Sequence, residues 1–283
     1  MPAREEFLVA HQNPDGGWGY FPGRESRVEP TVYALRALGD FAGRRRGVEF
    51  LVARQDASGG LTPSPTVAGA TWVTQLAFPV MVRGGADNER LKRAANWIVE
   101  TQGAEGGLIQ RILKSLGKSK VDQDARWKGW PWRPGNNSWV EPTAHGLLAL
   151  RWMEGYVVPA AIRYRQEMAV KMLLDRRCED QGWNYGNKRV LGETLPSYPE
   201  TTGLALLGLV GQKVEVGGSL EKARQDYAAA GSAYARALLA LALRLHGERV
   251  EFALSEGVHP SRNVALTALE LLAARGERKD WLP

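Results

Sequence analysis

The sequence predicts an all-α protein: about six helical hairpins set as two concentric rings, an α/α toroid spanning residues 1–283 as a single domain. Three observations predict it. A motif of two large apolar residues, a glutamine and a glycine pair recurs along the chain. Each copy closes a segment of amphipathic helical periodicity. Each is followed by a second segment that is apolar nearly all round, as a helix buried on both sides must be.

In the first hairpin, Phe7-Leu8, Gln12 and Gly16-Gly17-Trp18 end the amphipathic segment, and Val28-Glu29-Pro30-Thr31 opens "VEPTVYALRAL". In the second, Phe50-Leu51, Gln55 and Gly59-Gly60-Leu61 lead to "TWVTQLAFPVMV". In the third, Trp97-Ile98, Gln102 and Gly106-Gly107-Leu108 precede an insertion at about residues 108–138. The tetrapeptide VEPT then returns at Val140-Glu141-Pro142-Thr143 and opens "VEPTAHGLLAL". A weaker fourth copy, Met172-Leu173, Arg177 and Gly182-Trp183, leads to "TTGLALLGLVG". The segments "SAYARALLALALRLHGE" and "PSRNVALTALELLAARG" supply two more inner helices without the glutamine turn. Glycine stops each outer helix because it accepts the left-handed conformation that closes a helix end. A closed ring is favoured over an open solenoid because it leaves no exposed end surfaces.

Composition narrows the functions. No apolar run reaches the roughly 18 residues of a spanning helix. The start, "MPAREEFLVAHQNPDGGWGY", lacks the features of a secretory leader, and a lone Cys178 forms no internal disulfide. The expectation is a cytoplasmic protein. The net charge of +6 is spread along the chain without a helix-turn-helix, zinc-finger or RNP signature, so no nucleic acid is expected. His11, His145, His246 and His259 show no metal spacing, so neither metal nor cofactor is expected. Ten tryptophans suit either core filling or the lining of a site for a sugar, an aromatic ring or a cation.

The repeated motif resembles the "QW" motif of the terpenoid cyclases. That motif runs basic, small, two of any kind, aromatic, aliphatic, three of any kind, Gln, three of any kind, Gly, one of any kind, Trp. Arg46-Gly47, Phe50-Leu51, Gln55 and Gly59 match it, with Leu61 for the Trp. Arg93-Ala94, Trp97-Ile98, Gln102 and Gly106 match it, with Leu108 for the Trp. Phe7-Leu8, Gln12, Gly16 and Trp18 match its second half. The chain looks like a stand-alone prenyltransferase/squalene-oxidase-repeat protein, similar to squalene–hopene cyclase over about residues 5–210. The resemblance implies a toroid in which the Gln bonds helix ends and the Trp stacks on it. It implies an isoprenoid-handling protein with a Trp-lined central cavity, and an isoprenoid-type small molecule as its partner. Prenyltransferase β-subunits share the fold but use zinc held by Asp, Cys and His, and Cys178 lies in a turn rather than at an inner-helix start.

Class II cyclases protonate their substrate with the middle Asp of a DxDD motif. Trp139-Val140-Glu141-Pro142 occupies that frame. Glu141 falls where the acid would be, but Trp139 and Pro142 replace the flanking aspartates. The chemistry needs a carboxylic acid kept protonated by apolar surroundings, with aromatic faces to meet developing positive charge. Glu141 beside Trp130, Trp132, Trp139 and His145 fits that need, and Trp72 and Tyr33 extend the aromatic lining. Glu29 and Glu200 align with Glu141, so three carboxylates are expected around one mouth of the toroid. Pro at the first helical turn and a carboxylate near the positive helix end also explain Glu-Pro without catalysis.

The insertion places Leu108, Ile109, Ile112, Leu113 and Leu116 on a stripe among Arg111, Lys114, Lys118 and Lys120. It reads as a lid, a peripheral membrane contact or plain packing. Arg111, Lys114 and Arg133 could meet a diphosphate. Two other readings stand beside the cyclase: a non-catalytic toroid subunit that binds a ligand or a protein partner, and a carbohydrate-active α/α barrel.

Overall fold

The computed structural model describes residues 1–106, 122–254, 257, 259 and 261–283. Among them are eleven α-helices. In chain order they are α1 (Pro2–Ala10), α2 (Val28–Leu38), α3 (Arg44–Ala53), α4 (Val73–Arg83), α5 (Asn88–Glu100), α6 (Val140–Leu150), α7 (Pro159–Arg176), α8 (Pro199–Leu209), α9 (Gly217–Ala229), α10 (Ala233–Leu245) and α11 (Val264–Arg275). The inner helices touch in the order α2, α4, α6, α8, α10, α11, and α11 returns to α2, so the ring closes. Helices α1, α3, α5, α7 and α9 lie outside it. The sixth outer position holds no helix among the described residues. There, Val250, Phe252 and Leu254 pack partly buried against the core, and α1 spans α11 and α2. A two-residue antiparallel hairpin, β1 (Arg189–Val190) with β2 (Glu193–Thr194), decorates the loop before α8.

The repeat motif builds the joint between rings. The indole N–H groups of Trp18, Trp130 and Trp183 donate to the carbonyls of Leu8, Ile98 and Leu173, each at 2.7 Å. The Ile98 and Leu173 carbonyls are otherwise open in the last turn of an outer helix, and that of Leu8 also accepts from the His11 N–H at 3.3 Å. The backbone N–H groups of Trp18, Leu61, Trp130 and Trp183 donate to the hydroxyl oxygens of Thr31, Thr74, Thr143 and Thr202 at 2.8–3.0 Å. The threonine of VEPT thus ties each inner helix to the turn before it. Gln12 donates to the carbonyls of Gly16 and Gly43, and Gln55 to those of Gly59 and Arg90, joining each turn to the start of the next outer helix.

The third repeat differs from its expected form. Its closing Gly-Trp is Gly129-Trp130, not Gly107-Leu108. The Gly103 N–H donates to the Gly129 carbonyl just as those of Asn13, Asp56 and Cys178 donate to Gly17, Gly60 and Gly182. The inserted stretch therefore lies between Gly106 and Gly129, and ends before residue 138. A side chain at Gly129 would force the joint to shift, since a Cβ there would stand 2.1 Å from the Thr143 hydroxyl. Gln102 is exposed. Its work falls to Arg165 of α7, which is buried over the Trp130 ring at 4.1 Å and donates to the carbonyls of Thr101, Lys128 and Gly129. The insertion's stripe (Leu108, Ile109, Ile112, Leu113, Leu116) and its cations (Arg111, Lys114, Lys118, Lys120) lie outside the described residues.

Replacing Thr143 by Val keeps the volume and leaves the buried Trp130 N–H without an acceptor. The expected loss is about 1–3 kcal/mol in urea unfolding. A loss of a few tenths would show that this bond does not hold the joint.

The axis is filled. One turn below the glutamates stand Tyr33, Leu76, His145 and Leu204, and below these Leu148, Leu207, Leu241 and Leu272, none more than 2% exposed. At the C-terminal ends of the inner helices, arginines donate to open carbonyls. Arg44 bonds Leu35 and Gly39, Arg275 bonds Ala37, and Arg244 bonds Ala273 and Ala274. Positive charge is favoured at that end of a helix. Trp281 and Leu282 close this end, with the Trp281 ring 4.7 Å from the buried Arg36 guanidinium. Tryptophans thus mark the joints and the rim. The axis is leucine-packed, which differs from the Trp-lined central cavity the resemblance implies. Among the described residues no helix is long and apolar enough to cross a membrane.

Candidate functional site

The N-terminal ends of the inner helices form the other mouth, and a collar of loop backbone holds it. The carbonyls of Tyr20, Pro63, Trp132 and Tyr185 accept from the N–H groups of Val264, Val28, Trp72 and Val140 at 2.8–3.1 Å. Each acceptor lies two residues beyond its repeat's Trp or Leu, and the Val264–Tyr20 bond ties the last inner helix to the first loop. These four residues are therefore equivalent. So are Glu29, Trp72, Glu141 and Glu200, each two residues before its joint threonine.

The side chains at these positions pair by repeat. In the first, the Tyr20 hydroxyl donates to the Glu29 carboxylate. In the fourth, the Tyr185 hydroxyl donates to Glu200 at 2.9 Å. In the second, Pro63 stands with Trp72 and no acid is present. In the third, Trp132 replaces the tyrosine and packs edge-on to Trp72, ring centres 5.0 Å apart. Among the described residues, Glu141 has neither a hydrogen bond nor an ion pair.

The electrostatics follow from this. Burial, then the charges of Glu29 and Glu200, push the Glu141 carboxyl up to about 8. Glu29 is also raised by burial, against the Tyr20 hydrogen bond, which lowers it. Burial, and then the Arg36 charge, hold His145 down at about 3, so its ring is neutral. The His145 Nε2 and the Tyr33 hydroxyl lack partners. Hydrogen bonding to Glu200, then burial, pushes Tyr185 up to about 12. At neutral pH the mouth therefore holds a protonated carboxylic acid beside aromatic rings and a neutral imidazole. Such a group can give a proton to a weak base, and the aromatic faces can meet the positive charge that results.

The structure brings together Glu29, Glu141, Glu200, Tyr33, Trp72, Trp132 and His145; the Trp72 ring lies 5.5 Å from that of His145. Trp139 caps α6 at the rim and is partly buried. Trp130 is not part of the mouth: it is fully buried in the third joint, where its indole serves Ile98. Arg133 is exposed on the loop beyond Trp132. Apart from Tyr33, the tyrosines were not foreseen. Tyr20, Tyr185, Tyr198 and Tyr234 all act at the mouth; the Tyr185 and Tyr198 rings are 5.4 Å apart, and both are more than 40% exposed. The signal was present in "WGY" and "WNY", which match "WPW" in the third repeat. No group of three or more His, Cys, Asp or Glu among the described residues could hold a metal ion.

No protein-family model and no curated protein sequence matches the chain. Solved structures do match its fold. An endoglucanase of glycosyl hydrolase family 8 from Klebsiella pneumoniae superposes with a TM-score of 0.62 at 14% identity, covering 98% of this chain and 100% of the other. A cellobiose 2-epimerase from Spirochaeta thermophila gives 0.61 at 13% identity, covering 98% and 94%. A type II terpene cyclase from Scytonema gives 0.56 at 17% identity, covering 97% and 75%. At these identities the likeness concerns the fold alone: the chain is an α/α toroid, an architecture shared by proteins of different chemistries.

Proposed function

We propose that the acid-and-aromatic mouth is a ligand site in which Glu141 is the proton donor, and that its substrate sits at the mouth rather than along the axis. The observation that carries this reading is that Glu141 alone of the three equivalent glutamates has no hydrogen-bond partner, above an axis packed with leucine. A saccharide suits every group there. Its hydroxyls match the Tyr–Glu pairs, a ring face matches Trp72, and a bridging oxygen can take the Glu141 proton. The C–O bond then breaks, aromatic faces meet the positive charge on the ring carbon, and water adds, returning its proton to Glu141.

A second reading is protonation-initiated cyclisation of an isoprenoid. The QW pattern and the place of Glu141 in the acid frame favour it. The same proton would go to an alkene, and the filled axis restricts the substrate to a terminus seated at the mouth. Peripheral membrane contact would then help deliver such a substrate. A non-catalytic subunit would bind ligand or protein partner without turnover.

The test is incubation with β-linked oligosaccharides, squalene, and farnesyl and geranylgeranyl diphosphates, with product analysis, beside Glu141→Gln. Saccharide products that fall at least about 100-fold in the variant support the first reading. Prenyl products with the same loss support the second. Turnover indifferent to Glu141→Gln removes Glu141 from the acid role, and tryptophan quenching by ligand without turnover leaves a binding subunit.

A further inference from the structure

The collar makes four loop positions equivalent, and two of them carry a tyrosine bonded to the glutamate of its own repeat. The spacing from Tyr20 to Glu29 is the same as that from Trp132 to Glu141. A tyrosine at 132 would therefore stand where Tyr20 stands, with its hydroxyl within reach of Glu141. We infer that Trp132 is a positioning residue: by standing in the tyrosine's place it denies Glu141 a hydrogen-bond donor and so keeps that one glutamate free to hold and give a proton. This rests on the reading of Glu141 as the proton donor.

The physical cause is simple. A phenol donating to a carboxylate stabilises the charged form and draws the acid downward. Tyr20 acts in that direction on Glu29, against burial. At the third repeat the indole N–H is not spent on Glu141, because the Trp132 ring is turned edge-on to Trp72. Burial and the neighbouring charges then act on Glu141 unopposed. One aromatic exchange thus distinguishes otherwise equal acids. The alternative is that Trp132 only packs on Trp72, in which case the identity of the ring at 132 does not matter to Glu141.

The experiment is a carboxyl carbon NMR titration of glutamate-labelled protein, with Glu141→Gln used to assign the Glu141 signal. It is run on the unmodified chain, Trp132→Tyr and Trp132→Phe. Phenylalanine removes the indole and its packing but adds no donor, so it controls for structure. The expected result is a fall of roughly one to two pH units in the Glu141 midpoint for Trp132→Tyr. Trp132→Phe should leave the midpoint within a few tenths. In the reverse direction, Tyr20→Phe should raise the Glu29 midpoint. Equal midpoints for Trp132→Tyr and Trp132→Phe would overturn the inference, as would an unmoved Glu141 in a folded Trp132→Tyr. The titration uses no substrate, so its outcome is independent of turnover. A Glu141 that shifts as expected while Glu141→Gln leaves product formation intact would sink the proton-donor role alone.

Discussion

At pH 9, Glu141→Gln should melt several degrees above the unmodified chain, and at pH 4 the two should melt together. The Glu141 carboxyl is raised from 4.5 to about 8 in the folded state, chiefly by burial. Between those values the folded chain keeps a proton that the unfolded chain has released. Stability from this group is therefore fully present below about pH 4.5 and is lost as pH rises through about 8. Glutamine has the shape of the protonated acid and does not titrate, so it escapes the loss. The expected gain at pH 9 is about 2–4 kcal/mol, or roughly 2–4 °C for each kcal/mol in a chain of this size. Glu29, also raised by burial, remains in both proteins and gives the same background slope. Differential scanning calorimetry across pH 4–9 measures the difference. A constant gap, or a variant less stable at high pH, would show that Glu141 is not held protonated.

Arg165→Ala should be among the most damaging single substitutions in the fold, at about 3–5 kcal/mol. The guanidinium is 2% exposed and donates to the carbonyls of Lys128, Thr101 and Gly129 while covering Trp130. Burial lowers it only to about 10, so it stays charged at neutral pH. Its loss would strip the donor from the part-buried carbonyls of Thr101 and Lys128, leave that of Gly129 with the Gly103 N–H alone, open a cavity above Trp130, and free the joint that carries α6 and Glu141. Arg165→Lys should recover little, because an ammonium lacks the planar fork that reaches three carbonyls. The contrast is with Arg46 and Arg93, which are exposed and hold the turns before them through two carbonyls each. Their alanine variants should cost under about 1 kcal/mol in the same urea titration. Equal costs for Arg93→Ala and Arg165→Ala would mean that Arg165 does not do the work left undone by the exposed Gln102.

Much of the fold was legible because the repeat writes the same joint several times. Gln12 and Gln55 announced their helix-end bonds, and Thr31, Thr143 and Thr202 aligned because each anchors a turn. The third joint misled for a local reason. Gly106 does close a turn, in the left-handed conformation, but the chain then leaves for the insertion and returns at Gly129-Trp130. A motif matched by spacing cannot see a partner displaced along the chain. The sixth hairpin was half right: "PSRNVALTALELLAARG" contains the inner helix, with Asn263 capping it at Leu266 N. Among the described residues no outer helix stands beside it, and in "GERVEFAL" the apolar Val250, Phe252 and Leu254 alternate instead of marking a helical face. At the mouth, the three glutamates were visible as a column, but their inequality was not. It depends on which ring stands across the collar, and only the closed toroid brings Tyr20, Trp132 and Tyr185 to equivalent places. Nor could the sequence tell a packed axis from an open one, since leucine lines both.

The central claim is that Glu141, unpaired at the mouth, carries a proton at neutral pH. The most direct measurement is the midpoint of its own carboxyl signal, taken by carbon NMR and assigned by its disappearance in Glu141→Gln. A midpoint near 8 is the predicted result. A midpoint at the ordinary value of about 4.3 would contradict it, and would return Glu141 to the role of a helix-start residue.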